Sequence, residues 1–167
     1  MVLQYVLLAT ILLLAIFIVA EDFRKLEIAA IPVLMLSLLM IAHGYLFPLS
    51  GLAPHHALAG AAVGLAMGTM ARGYTHLRTG VAAFGGADIA LIAGAGGLVG
   101  PFLFGPWLFL AALSGAALIL ASPIFLRRHD IDGKTLDVAP FCPALILSAG
   151  LIFALAEAGV LAGNIFA

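Results

Sequence analysis

Residues 84–100 read Phe84-Gly85-Gly86-Ala87-Asp88-Ile89-Ala90-Leu91-Ile92-Ala93-Gly94-Ala95-Gly96-Gly97-Leu98-Val99-Gly100. A glycine pair hands one carboxylate to the mouth of an apolar run that carries no further charge. An acid beside a membrane-length apolar segment is costly to desolvate, and such residues are rare and usually functional. The plainer alternative is a helix start, where free N–H groups and the macrodipole welcome Asp. The choice between the two turns on a second acid, Asp22, and on whether it shares a membrane face with Asp88.

The composition places the chain in lipid. Of its 167 residues 65% are hydrophobic and 9% charged, against about 25% charged in soluble domains. The length suits one domain, residues 1–167. A net charge of -1 gives no nucleic-acid footprint. A single cysteine, Cys142, excludes an internal disulfide and any Cys-x-x-Cys arrangement. Met1-Val2-Leu3-Gln4-Tyr5 has no basic n-region, so the first apolar run reads as a membrane helix rather than a signal peptide.

A bilayer core about 30 Å thick needs roughly 20 apolar residues as helix, and six runs qualify: about 2–20, 29–48, 55–73, 87–104, 106–126 and 140–163. Helix is the form that satisfies backbone polar groups within each run. A barrel would need period-two alternation, which Leu12-Leu13-Leu14-Ala15-Ile16-Phe17 lacks. The expected fold is an all-α membrane protein, a bundle of six transmembrane helices.

The basic residues orient it. Arg24 and Lys25, Arg72 and Arg78, and Arg127, Arg128 and Lys134 fall in the first, third and fifth connections, and together they are all seven cations of the chain. The positive-inside bias makes these connections cytoplasmic and puts both termini on the outer, periplasmic side. Asp22 and Asp88 then share the cytoplasmic interface. Trp107, Tyr5 and Tyr45 fall near outer ends and Tyr74 near an inner one, where amphipathic rings prefer to sit. Gly60, Gly64 and Gly68, with Gly96 and Gly100, form small-residue faces for close packing inside the bundle, dimerisation being the alternative use. Pro32 sits just inside the second helix, and Gly100-Pro101 and Gly105-Pro106 mark segment ends.

Two aspartates at one face can hold a water between them. Close carboxylates do not easily both ionise, so one keeps a proton while the other is charged. The charged acid can draw a proton from water while its partner polarises an amide carbonyl; a proton then passes to the leaving amine. Asp88, near a helix N-terminus, is expected to be the base, and Asp22, after a helix C-terminus, the proton-bearing partner. Gly85 and Gly86 would let the loop take unusual dihedrals and a substrate strand approach closely.

At these residues the chain resembles a known family. Gly85-Gly86-Ala87-Asp88 is similar to the Gly-x-Gly-Asp motif of type IV prepilin peptidases, membrane aspartic peptidases that trim leaders from pilin-like proteins. Asp22-Phe23-Arg24 is similar to the family's Asp-x-Arg block, and Ala139-Pro140-Phe141-Cys142-Pro143-Ala144 to its Pro-Phe-Gly-Pro lead-in to the last helix. The resemblance spans about residues 15–155 and is to the compact members without the methyltransferase region, which often serve Flp-type pili. It implies Asp22 and Asp88 as catalytic, with Gly85, Gly86 and Arg24 supporting the motifs. It also implies no cofactor or metal, an inner-membrane location, and a prepilin-like substrate with a basic leader and an apolar helix. Ala87, Ala90, Ala29-Ala30 and Cys142 stand where the family usually has glycine, lysine, Pro-Asn and glycine.

Other polar groups are read more plainly. Glu21, Glu27, Asp130, Asp132 and Asp137 fall on the cytoplasmic side and read as solvated loop charges, with steering of a basic leader as the alternative. Glu157 reads as an interfacial acid, and Cys142 as a packed helix residue. His43, His55, His56, His76 and His129 show no metal spacing. Two rival functions remain open: a small proton or solute transporter using the aspartates, or a catalytically inactive membrane partner in pilus assembly.

Overall fold

The computed structural model describes residues 2–25, 29–49, 52–80, 85–121, 127–131, 134–138 and 142–161. Five helices follow in order: α1 (Val2–Lys25), α2 (Ala30–Leu46), α3 (His55–Thr79), α4 (Gly86–Ala121) and α5 (Cys142–Glu157). Between α4 and α5 a two-stranded antiparallel ribbon, β1 (Arg127–Ile131) and β2 (Lys134–Val138), pairs Arg127 with Val138 and Ile131 with Lys134. The ribbon occupies what the charge pattern treats as a plain fifth connection. Two helices, Val2–Arg24 and Gly86–Leu120, are long and apolar enough to cross a membrane; Ala30–Leu46 and Cys142–Glu157 are shorter apolar helices.

The helix ends follow local chemistry. Gly80 closes α3 in the left-handed conformation at φ 72°, its N–H donating to the His76 carbonyl at 2.9 Å, as an αL cap does. Beyond α5, Gly159 at φ 73° lets the Val160 N–H reach the Leu155 carbonyl at 3.0 Å. Pro32 and Pro143 each lie in a first turn, where a missing N–H costs no helix bond. The Ala53 N–H donates to His56 Nδ1 at 2.8 Å and fastens the start of α3.

Where two separate helices are expected at 87–104 and 106–126, one element runs from Gly86 to Ala121 with a break at Gly100 (φ 75°, ψ 170°). In a straight helix Gly96 and Phe104 would lie about 12 Å apart along the axis. Instead the Phe104 ring comes within 3.2 Å of the Cβ position on Gly96, so the chain turns back sharply at Gly100. Pro101 starts the returning segment, at the position a helix start tolerates. Gly100-Pro101 thus marks a segment end as expected, while Gly105-Pro106 lies inside the helix instead of ending one.

This broken helix is the centre of the molecule. It packs against α3, α2 and α5, while α1 rests mainly on α2 and touches α5. The core joins Val33, Leu36 and Met40 of α2, Leu91, Val99, Phe104 and Trp107 of α4, and Leu145, Ala149 and Ile152 of α5. Gly60, Gly64 and Gly68 face α4, where a Cβ on Gly60 would collide with the Gly96 carbonyl and one on Gly64 with that of Ile92. The glycine face therefore serves internal packing. Trp107 corrects an expectation: it is 0% exposed, and its indole N–H donates to the Leu145 carbonyl at 3.2 Å. It ties α4 to α5 instead of anchoring an outer rim. Tyr5, Tyr45 and Tyr74 are exposed.

Candidate active site

Asp22 reaches the site through the buried side of α1. Ala15, Ile18 and Asp22 are that helix's buried residues, and Ile11 and Leu14 pack partly against the same core. Their spacing of three and four is one face of a helix. The carboxyl lies at the inner end of this stripe and is 5% exposed. Burial on this scale requires a partner, and Asp22 Oδ2 accepts the main-chain N–H of Cys142 at 3.1 Å. Cys142 is the first residue of α5, so this N–H has no acceptor within its own helix.

Asp88 sits in the first turn of α4. Its Oδ2 accepts the Gly85 N–H at 2.9 Å, the backward half of a capping box. Its Oδ1 takes a contact from Cys142 Sγ at 3.9 Å. Both acids therefore meet at one residue, and their charges act on each other. Each also satisfies the N-terminus of a helix, Asp88 that of α4 and Asp22 that of α5.

That placement revises the expected asymmetry. Asp22 lies inside the C-terminal end of α1 rather than after it, because the helix runs on to Lys25, and it also faces the N-terminal end of α5, whose dipole acts in the opposite sense. Position along the parent helix no longer ranks the two acids. Exposure does, since Asp88 is half-buried and Asp22 buried.

Gly85 and Gly86 are exposed beside Asp88, yet neither has a positive φ. These two glycines use no glycine-only dihedral, and residues 81–84 of the same loop lie outside the described residues. Among the described residues a Cβ on Gly86 would meet nothing within 4 Å, and one on Gly85 would make ordinary contact with Asp88. Arg24 is exposed in the last turn of α1. Ala90 packs partly against the core. Phe84, Glu27, Asp132 and the stretch 139–141 lie outside the described residues, and for Asp130 and Asp137 only the backbone of the ribbon is described.

Cys142 is the site residue that the sequence reading misses. It is buried, as a packed helix residue should be, but it also donates to both acids. Away from the acids, His43 is fully buried between Phe47 and Phe153, and among the described residues neither ring nitrogen has a hydrogen-bond partner. Glu157 is exposed at the end of α5. Among the described residues no group of three His, Cys, Asp or Glu could hold a metal ion.

Chemically, the arrangement is a pair of carboxylates at two converging helix starts, one half-buried and one buried. Such a pair can share a proton and activate water. No family model, curated protein or solved structure matches this chain, so the reading of the site rests on its own geometry.

Proposed function

We propose that the chain is a membrane-embedded aspartic endopeptidase that removes the leader of a type IV prepilin-like substrate, possible Flp-type pilins included, at the cytoplasmic face of a bacterial inner membrane. The observation that carries the reading is that Asp22 and Asp88, remote in sequence, meet at Cys142. The resemblance of Gly85-Gly86-Ala87-Asp88 and Asp22-Phe23-Arg24 to prepilin peptidase motifs supports it. In this reading the returning halves of α4 count as two spans, which gives six transmembrane helices with both termini on the periplasmic side.

The chemistry is general acid–base hydrolysis. Asp88, the more open acid, takes a proton from a water that attacks the scissile carbonyl. Asp22, enclosed and protonated, hydrogen-bonds the carbonyl oxygen as it gains charge. Collapse of the tetrahedral intermediate breaks the C–N bond, and the proton held by Asp88 passes to the leaving amine. Gly86 has no Cβ and no atom of the described residues within 4 Å of where one would sit, which gives an extended strand room beside the acid.

The test uses purified protein in lipid nanodiscs and a peptide that joins a lysine-rich leader to an apolar helix, with products read by mass spectrometry. One cut ahead of the apolar segment is expected, lost in both Asp22→Asn and Asp88→Asn. Undiminished cleavage in both variants would overturn the mechanism.

A further inference from the structure

Cys142 has no step in the hydrolysis above, yet it touches both acids with two different groups. Its main-chain N–H donates to Asp22 and its thiol to Asp88. We propose that Cys142 is a positioning residue that holds the two carboxylates at a fixed separation. Its effect on rate rests on the hydrolytic reading; its bridging role does not.

Three observations support the bridge. The N–H is at the first position of α5, where it cannot bond within its own helix, so Asp22 gives it an acceptor. The residue is 1% exposed, which keeps the S–H from water, and among the described residues Asp88 Oδ1 is its acceptor. The residue is itself anchored, because Cys142 belongs to the core with Leu145, whose carbonyl is held by Trp107. α1 brings Asp22 and α4 brings Asp88, and α5 packs on both. A displacement of α5 would therefore move both acids' partners together.

The chain has one cysteine, so its S–H stretching band in an infrared spectrum is unambiguous. The full-length protein in nanodiscs is measured as wild type, Asp88→Asn and Asp22→Asn. An amide oxygen is a weaker acceptor than a carboxyl group carrying charge. The band is expected to move to higher frequency in Asp88→Asn and to stay near the wild-type position in Asp22→Asn. An identical band in wild type and Asp88→Asn overturns the bridge. In the cleavage assay, Cys142→Ala is expected to lower kcat by about tenfold or more with little change in KM, as misplaced catalytic groups do. Cys142→Ser keeps a donor and should recover part of that loss; wild-type kcat in Cys142→Ala overturns the positioning role. If Cys142→Ala does not fold, the infrared comparison still decides. If wild-type protein cleaves nothing but the band shifts as expected, the peptidase reading fails and the bridge stands.

Discussion

Asp88 caps α4 and, in the proposed mechanism, is also the base, and the two tasks point to different substitutions. As a cap it needs only an oxygen acceptor for the Gly85 N–H, whereas as a base it needs an ionisable oxygen. Asp88→Asn should therefore change unfolding stability little, while cleavage falls roughly 10²–10⁴-fold. Asp88→Ala should show the same loss of cleavage and a further cost of about 1 kcal/mol, typical of a removed cap. Circular dichroism melting in detergent, paired with the cleavage assay, separates the two; equal stability of the Asn and Ala variants would deny the cap. Trp107 offers a test away from the chemistry. Trp107→Phe deletes one donor to the Leu145 carbonyl, which keeps Ser148 Oγ as another, and should cost about 0.5–1.5 kcal/mol, the net worth of a single hydrogen bond. Both acids were legible in the sequence because a charge stands out in an apolar background. Cys142 was not, because nothing in a lone cysteine tells a packed thiol from one that bridges two carboxyls.

At the scale of elements, packing here depends on glycine backbones. A Cβ on Gly60 would strike the Gly96 carbonyl, so Gly60→Ala must push α3 from α4 and should cost about 1–3 kcal/mol. Gly73 lies in the same helix with nothing within 4 Å of its Cβ position, and Gly73→Ala should instead stabilise by about 0.5–1 kcal/mol. Opposite signs in one denaturant titration are the expected result. α1 gives a parallel contrast. Ile18 is 0% exposed one turn from Asp22, and Leu13 is 69% exposed. Ile18→Ala should loosen the seat of Asp22 and lower the cleavage rate, while Leu13→Ala should leave it unchanged. The inward stripe of α1 was not readable from its sequence, because lipid-facing and core-facing positions are both apolar and amphipathicity disappears. The glycine spacing was readable, since close approach of helices requires small residues in any solvent. The ribbon had a signal as well: Asp132-Gly133 separates its strands, and Asp-Gly is favoured in two-residue hairpins.

The whole molecule presents apolar side chains outward on every long helix. Leu12 and Ile16 of α1, Leu38 of α2, Leu113 and Leu120 of α4 and Leu147 of α5 are all exposed. Continuous apolar surface of this kind is expected against lipid or a partner. The candidate site lies at one end of this surface: the last turns of α1 and the first turns of α4 and α5 meet there. α3 runs to the same end, because Gly68 packs on Ile89, and its remaining residues, with Arg72 and Arg78, continue past that level. Arg24, Arg72 and Arg78 thus gather on the side of the acids, which in the proposed reading is the cytoplasmic side by the positive-inside bias. The prediction is a labelling pattern. With single cysteines placed at Ala53 and His76 in a Cys142→Ser background, a membrane-impermeant maleimide should reach position 53 from outside intact cells and position 76 only in inverted vesicles. The reverse pattern would put the two aspartates on the outer face, away from any cytoplasmic leader. Access to both positions from one side would mean that α3 does not cross at all.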